Sequence, residues 1–175
     1  MRIVPKHFIL DVDGVMTDGK LYYTKAGKVM KVFGPDDHDA LSLLKPYLKI
    51  QFVSGDSRGF SITKKRIVGD MKMPLELVST VRRIEWISER FNPKEVIYMG
   101  DGIFDPYVFA KVGYSIATGD ADEYSRRSAD YVTRRRGAER AVAEAVLHIL
   151  AKFFKPFNRT KLPPSSVVAS GKWRA

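Results

Sequence analysis

The chain has 175 residues, of which 45% are hydrophobic, and it carries a formal net charge of +10 at pH 7. Because it contains no cysteine, the sequence excludes disulfides, thiol catalysis and cysteine-ligated metal centres. The length predicts one compact domain with a full core. No apolar run is long enough for a membrane span or a secretory signal, so we expect a cytoplasmic protein. The positive charge favours anionic partners such as phosphorylated metabolites, nucleic acid or an anionic membrane surface.

The first predicted element is a buried strand that ends in two carboxylates. The apolar run 7–10 is followed by Asp11 and Asp13, and the pattern breaks at Gly14. Ligands of open α/β sheets bind at the carboxyl ends of the strands, so these acids indicate a site for a divalent cation, nucleophilic attack and proton transfer. A surface turn is the alternative, since Asp-Gly is a common turn pair.

A β-hairpin and a helix are predicted next. Two β-prone runs, 21–24 and 29–33, flank a turn that contains Gly27. The hairpin has more aromatic and Met side chains than a small hairpin needs. We therefore expect it to pack against another subunit or to lie over the site, with packing on the chain's own core as the alternative. Asp37 then lies in the first turn of a helix, where an acid meets the positive end of the helix dipole.

The rest of the chain alternates strands with helices. Strands are predicted at 49–53, 75–78, 96–99, 114–117 and 131–133, and helices at 58–68, 80–90, 105–111 and 138–154. With right-handed crossovers this order predicts a Rossmann-like three-layer α/β/α sandwich with a mostly parallel sheet. The domain spans 1–154. A basic tail with Pro and Ser, 155–175, follows it, and both disorder and polyanion binding are open for this tail.

Three of the predicted strands end in polar residues that a parallel sheet brings to the same edge. These residues are Asp11 with Asp13, Ser54, and Asp101 with Asp105. Magnesium prefers hard oxygen ligands, and its charge offsets the repulsion between an anionic nucleophile and an anionic phosphate. The set therefore predicts magnesium-dependent phosphoryl transfer at this edge of the sheet.

The same motifs resemble those of a known superfamily. The nine residues Asp-Val-Asp-Gly-Val-Met-Thr-Asp-Gly that begin at Asp11 resemble the first signature of the haloacid dehalogenase (HAD) superfamily. Ser54-Gly55 resembles its second motif, and 100–105 its fourth. More narrowly, residues 5–153 resemble the capless phosphatases of the 3-deoxy-D-manno-octulosonate 8-phosphate phosphatase type. The resemblance implies a HAD-like fold with a β-hairpin flap after the first strand, no cap domain, and a homo-oligomer with a tetramer favoured.

The resemblance also implies a role for each matched residue. Asp11 would be the nucleophile that forms an aspartyl-phosphate, and Asp13 would act as general acid and then as general base. Ser54 would donate a hydrogen bond to the transferring phosphoryl group. Asp101 would bind Mg²⁺ together with Asp11 and the backbone carbonyl of Asp13, and Asp105 would support the metal directly or through water.

Further residues are expected to contact the substrate. Backbone amides near Asp13 and Gly14 would hold phosphate oxygens, and Gly55 is a further expected substrate-binding residue. The lysine of the superfamily aligns with Arg83, which keeps the charge but differs from lysine because its guanidinium is a planar fork. Asp37 is either a substrate contact or a helix-start acid. Arg134, with the two arginines after it, either grips an anionic substrate or belongs to a solvated charge run.

Two more departures from the family pattern concern the substrate. Asp56 stands where the family usually has Arg or Lys. Residues 134–140 correspond only in part to the Gly- and Arg-rich segment that the family has after its last strand. The predicted function is hydrolysis of a small phosphorylated metabolite, a sugar or sugar-acid phosphate such as 3-deoxy-D-manno-octulosonate 8-phosphate. The charge suggests a nucleic-acid end phosphatase or a polyanion-binding protein as alternatives, and the missing lysine suggests a catalytically impaired scaffold. No membrane partner is expected.

Overall fold

The computed structural model of the chain describes residues 4–161. In this part the strands are β1 His7–Asp11, β2 Tyr22–Thr24, β3 Gly27–Met30, β4 Lys49–Ser54, β5 Leu75–Leu77, β6 Val96–Gly100, β7 Tyr114–Ala117 and β8 Tyr131–Val132. The α-helices are α1 Asp37–Leu44, α2 Phe60–Lys64, α3 Arg83–Arg90, α4 Asp105–Phe109, α5 Glu123–Ser128 and α6 Ala141–Phe153. A π-helical segment, Lys65–Asp70, continues α2, and Thr80–Arg82 and Pro93–Glu95 are 3₁₀ turns. The predicted tail lies outside the described residues from 162 onward.

Six of the strands form a single parallel sheet in the order β5-β4-β1-β6-β7-β8. Strand β1 is central and pairs in parallel with β4 on one side and with β6 on the other. Because the strand order reverses beside β1, the switch point of the sheet, where ligands bind in such folds, lies at the carboxyl ends of β1, β4 and β6. The predicted α/β sandwich with a parallel sheet is therefore confirmed.

The core lies on both faces of this sheet. Alternate residues of a strand point to opposite faces. Accordingly, Phe8 and Leu10 of β1 pack in the cluster that contains α1 and α6, whereas Ile9 packs in the cluster that contains α3 and α4. Helices thus cover both faces and give three layers. No helix among residues 4–161 combines the length and the apolar character needed to cross a membrane.

Three helices begin later than the sequence pattern predicts, and the one predicted at 58–68 begins at Phe60. The predicted helix at 80–90 starts as a 3₁₀ turn and becomes α-helical only at Arg83. In the 3₁₀ turn Val81 is 61% exposed, while Arg83 is buried. The last helix begins at Ala141 instead of 138, because Ala138 and Arg140 adopt φ angles of 61° and 71°, which a right-handed helix does not allow.

Strands β2 and β3 form an antiparallel hairpin outside the main sheet. Within the described residues the connection after β1 contributes only this hairpin, so no cap domain is present there. Apolar side chains of the hairpin are exposed and do not pack on the chain's own core, and these are Leu21, Tyr23, Val29 and Met30. The hairpin therefore offers an apolar surface that residues 4–161 do not cover.

Candidate active site

Asp11 is the last residue of the central strand and is buried at the switch point of the sheet. Its carboxylate accepts two hydrogen bonds from Arg83, Nη1 to Oδ2 at 2.6 Å and Nη2 to Oδ1 at 2.9 Å. The backbone amide of Val12 donates a third, to Oδ1 at 2.7 Å. Burial raises the pKa of Asp11 to about 6, and repulsion by Asp105 adds to this effect, although Arg83 opposes it.

Arg83 is the buried cation that contacts Asp11. It is the first residue of α3 and only 1% exposed. Besides Asp11, its Nη1 donates to the Tyr98 hydroxyl at 2.7 Å and lies 3.4 Å from Oδ1 of Asp105. The paired donors of a guanidinium match both oxygens of a carboxylate, which a lysine ammonium cannot do. The structure therefore places the residue aligned with the family lysine against the candidate nucleophile.

Asp105 organises the turn between β6 and α4. Its Oδ2 accepts hydrogen bonds from the backbone amides of Asp101 and Gly102, both at 2.8 Å. Its Oδ1 accepts one from the Tyr98 hydroxyl at 2.7 Å and faces Arg83. Both oxygens are thus occupied by the protein itself. Sequence reasoning did not single out Tyr98, because a tyrosine inside an apolar strand reads only as core.

Asp101 is the acid of the cluster with the fewest partners. Its side chain accepts no hydrogen bond from residues 4–161, although carboxylate oxygens of Asp11, Asp101 and Asp105 lie within 4.8 Å of one another. Burial raises the pKa of Asp101 to about 8, and repulsion from Asp11 and Asp105 contributes. One buried guanidinium cannot balance three carboxylates, so the residues present fit a divalent cation with hard oxygen ligands.

Asp13 lies on the other side of the switch point, between β4 and the hairpin. Its carboxylate lies 2.7 Å from Nζ of Lys31 and accepts a hydrogen bond from Ser54 Oγ at 3.2 Å. Ser54 ends β4 and is fully buried, and Gly55 follows it at the exposed edge. Lys31 is a site residue that sequence reasoning missed. The available signal was a single charged residue inside the apolar run 29–33.

The loop after β1 forms a tight turn against the acidic cluster. Gly14 has a φ of +82°, and a Cβ on it would lie 1.9 Å from Oδ2 of Asp101, so only glycine fits there. The amide of Gly14 donates to Oγ1 of Thr17 at 3.2 Å. A Cβ on Gly137 would lie 2.2 Å from the carbonyl oxygen of Gly14, so the segment after β8 packs on this loop. Arg134 belongs to the same segment and is exposed.

Asp37 has a structural contact of its own. Its Oδ1 accepts a hydrogen bond from the backbone amide of Ala143 at 2.9 Å, in the first turn of α6. Its other oxygen, Oδ2, is buried without a partner in the described part of the chain. The carboxylate thus caps α6, through a residue 106 positions away in the chain, in addition to lying in the first turn of α1. Burial raises the pKa of Asp37 to about 6.

Known proteins with similar sequences and structures decide the family. The 3-deoxy-D-manno-octulosonate 8-phosphate phosphatase KdsC of Escherichia coli K12 is 31% identical over 148 residues, which cover 78% of this chain and 74% of KdsC. The enzyme of the same name from Yersinia pestis has a solved structure with 28% identity and a TM-score of 0.72, covering 84% of this chain and 81% of that one. No protein-family model matches the chain. The chain belongs to the KdsC-like phosphatases of the haloacid dehalogenase superfamily.

A third HAD relative bears on the metal. The cobalt-bound deoxy-D-mannose-octulosonate 8-phosphate phosphatase of Haemophilus influenzae is 27% identical, with a TM-score of 0.72 over 84% of this chain and 88% of that one. As a HAD phosphatase this protein is a phosphoric monoester hydrolase. The cluster of Asp11, Asp101 and Asp105 supports binding of a divalent metal.

Burial of the Asp37 carboxyl group makes the stability of this HAD phosphatase depend on pH, because burial raises its pKa and the hydrogen bond from Ala143 only partly opposes this. With a folded-state pKa of about 6, above the ordinary 3.8, Asp37 binds its proton more tightly in the folded chain than in the unfolded chain. This contribution to stability is complete below pH 4 and is lost as the pH rises to 6, a change of about 3 kcal/mol. We expect Asp37→Asn to remove this decline, as measured by urea denaturation at pH 4, 5, 6 and 7.

Asp39→Asn is the matched control, since Asp39 lies exposed on the same helix. Its free energy of unfolding should follow that of the wild type across this range. Parallel pH curves for Asp37→Asn and the wild type would contradict the assignment of the buried proton to Asp37.

Proposed function

We propose that this protein is a magnesium-dependent phosphatase that hydrolyses a sugar or sugar-acid phosphate through an aspartyl-phosphate. The observation that carries the proposal is the position of Asp11, which ends the central strand within 4.8 Å of the oxygens of Asp101 and Asp105. The relatives named 3-deoxy-D-manno-octulosonate 8-phosphate phosphatase support a phosphorylated sugar acid as the substrate. A cytoplasmic location is part of this proposal.

Different side chains act in the two chemical steps, which are formation and hydrolysis of the aspartyl-phosphate. An oxygen of Asp11 attacks phosphorus, and the bond from phosphorus to the leaving oxygen breaks. Asp13 donates a proton to that oxygen and later takes one from the water that hydrolyses the aspartyl-phosphate, while Ser54 donates a hydrogen bond to the phosphoryl group. Backbone amides near Gly14 and Gly55 hold phosphate oxygens, and bound Mg²⁺ supplies charge neutralisation.

The donor set suggests how the metal is held. The side chains of Asp11 and Asp101 and the backbone carbonyl of Asp13 are the proposed ligands. Asp105, whose oxygens accept hydrogen bonds from Tyr98 and from the amides of Asp101 and Gly102, supports the metal directly or through water. Arg83 offsets part of the negative charge that an incoming phosphate meets, which supports an active enzyme rather than an impaired scaffold.

Substrate identity requires a turnover screen. We expect Mg²⁺-dependent release of phosphate from sugar-acid and sugar phosphates, with little from nucleotides or oligonucleotide ends, and loss of activity with EDTA. Arg134, exposed on the segment that packs on the β1 loop, is proposed to meet a second anionic group of the substrate. If the folded protein releases no phosphate from any ester in the presence of Mg²⁺, the proposed function is refuted.

The hairpin is the proposed interface of a homo-oligomer, with a tetramer favoured. Four apolar side chains are exposed on one small hairpin, which is typical of a surface that binds another protein. A second copy of the chain bound there would also cover an open site. Light scattering should give the mass of an oligomer, and Val29→Lys combined with Met30→Lys should give a monomer. Val68→Lys, at a partly exposed apolar residue on the π-helical segment, is the control, and a monomeric wild type would contradict the interface.

A further inference from the structure

Two lysines of the hairpin turn inward although the hairpin is otherwise exposed. The side chains of Lys28 and Lys31 are 4% and 1% exposed. Val29 and Met30, between them, are each about half exposed. Burying an ammonium group is costly unless opposite charges and acceptors surround it. The burial of these two side chains therefore depends on what they contact.

Lys31 contacts three polar side chains at once. Its Nζ lies 2.7 Å from Oδ1 of Asp13, 2.8 Å from Oδ2 of Asp56 and 2.8 Å from Oγ1 of Thr63. An ammonium has three hydrogens, so three acceptor residues use all of them. Lys31 cannot rotate to another position without losing one of these contacts in a buried place.

Asp56 anchors this arrangement to the loop after β4. Its Oδ2 lies 2.5 Å from Nζ of Lys28 as well as close to Lys31, and its Oδ1 accepts a hydrogen bond from the amide of Gly59 at 3.0 Å. A Cβ on Gly59 would lie 2.2 Å from Oδ2 of Asp56 and 2.9 Å from Cε of Lys31, so the start of α2 packs tightly on this pair. The acid at position 56, where the family usually has a basic residue, is therefore what two buried hairpin lysines require.

We infer that Lys31, held by Asp56 and Thr63, is a positioning residue that fixes the carboxylate of Asp13 for proton transfer. Ser54 donates to the same carboxylate at 3.2 Å, so Asp13 is held from the strand side and from the hairpin side. The hairpin thereby becomes part of the catalytic geometry and not only a surface for other subunits. This inference rests on the proposed function, in which Asp13 transfers both protons.

If Lys31 positions Asp13, the loss of Lys31 should affect the two steps of the reaction differently. A leaving group as weakly basic as 4-nitrophenolate departs without a proton, so its release depends on Asp11 and hardly on Asp13. Hydrolysis of the aspartyl-phosphate still requires Asp13 to take a proton from water. A misplacement of about 1 Å in a group that acts on the reacting atoms can cost about 100-fold in rate. Loss of Lys31 should therefore slow the second step far more than the first.

The test uses the full chain with Mg²⁺ and 4-nitrophenyl phosphate in rapid-mixing experiments. Lys31→Met should release one equivalent of 4-nitrophenolate per active site in a burst, followed by a kcat about 100-fold below that of the wild type, with KM not raised. Lys25→Met, in the exposed turn of the same hairpin, should leave kcat unchanged. Asp56→Asn should give an intermediate loss with the burst retained.

The outcomes separate this inference from the function on which it rests. If the wild type turns over and Lys31→Met keeps kcat within about twofold, the positioning role is wrong. If the folded wild type hydrolyses no ester, the proposed function fails first. Should Lys31→Met not fold, Thr63→Val decides, since it keeps every charge: a lowered kcat with a retained burst supports the role, and an unchanged kcat refutes it.

Discussion

The Asp11→Asn protein is expected to lose phosphatase turnover by at least about 10⁴-fold, because an amide oxygen cannot replace the carboxylate that we propose forms the aspartyl-phosphate. Asp11 ends the central strand, and its carboxylate is held by the paired donors of Arg83 and by the amide of Val12. The measurement is kcat on the ester that the wild type hydrolyses fastest, together with acid-quenched labelling by a ³²P-phosphorylated substrate. The wild type should retain label on the protein, and Asp11→Asn should retain none.

Asp70→Asn is the matched control. Asp70 ends the π-helical segment, its side chain is 45% exposed, and its ion pairs with Lys65 and Arg66 are long, at 3.9 Å. Turnover and labelling should equal those of the wild type. An Asp11→Asn protein with activity within about tenfold of the wild type, and with the same magnesium dependence, would show that another group attacks phosphorus.

Removing the buried guanidinium should destabilise the metal-free protein strongly. Arg83→Met leaves Asp11 and Asp105 without their buried cation, and breaking such a pair by removing one partner costs about 3–5 kcal/mol. Urea denaturation in EDTA at neutral pH measures this loss as a lower free energy of unfolding. Added Mg²⁺ should then raise the denaturation midpoint of Arg83→Met more than that of the wild type, since the cluster has lost its internal positive charge.

The neighbouring arginine is the control for this prediction. Arg82 has a side chain that is 72% exposed, and its ion pair with Glu85 at 2.9 Å lies at the surface. Arg82→Met should change the free energy of unfolding by no more than about 1 kcal/mol, as is usual for exposed pairs. Equal losses in the two variants would mean that Arg83 is not the residue that balances the acidic cluster.

The α/β architecture and the positions of the acids could be predicted from the sequence for a specific reason. Buried parallel strands are short apolar runs, and each of the three decisive runs ends in a polar residue. The ends of parallel strands must converge, so Asp11, Asp13, Ser54, Asp101 and Asp105 were predicted to meet without knowledge of any contact. The structure brings all five to the carboxyl ends of β1, β4 and β6.

Contacts between distant segments could not be predicted in this way. Asp37 reads as a helix-start acid, yet its carboxylate caps α6. Lys31 reads as an interruption of a hairpin strand, yet it contacts Asp13 and Thr63. In both cases the partner depends on how two elements pack, and packing is decided by the whole core and not by a local pattern.

The sequence by itself determined which residue types stand at the strand ends, and hence the prediction of an acidic site there and the resemblance of its motifs to the haloacid dehalogenase superfamily. The tertiary structure decided how the charges of that site are balanced. The 3₁₀ segment before α3 orients Arg83, and not Arg82, towards the core. The packing of the hairpin brings Lys31 into contact with Asp13. A buried charge is tolerated only beside a partner, and such partners come from segments far apart in the chain, so only the folded arrangement reveals the pairs.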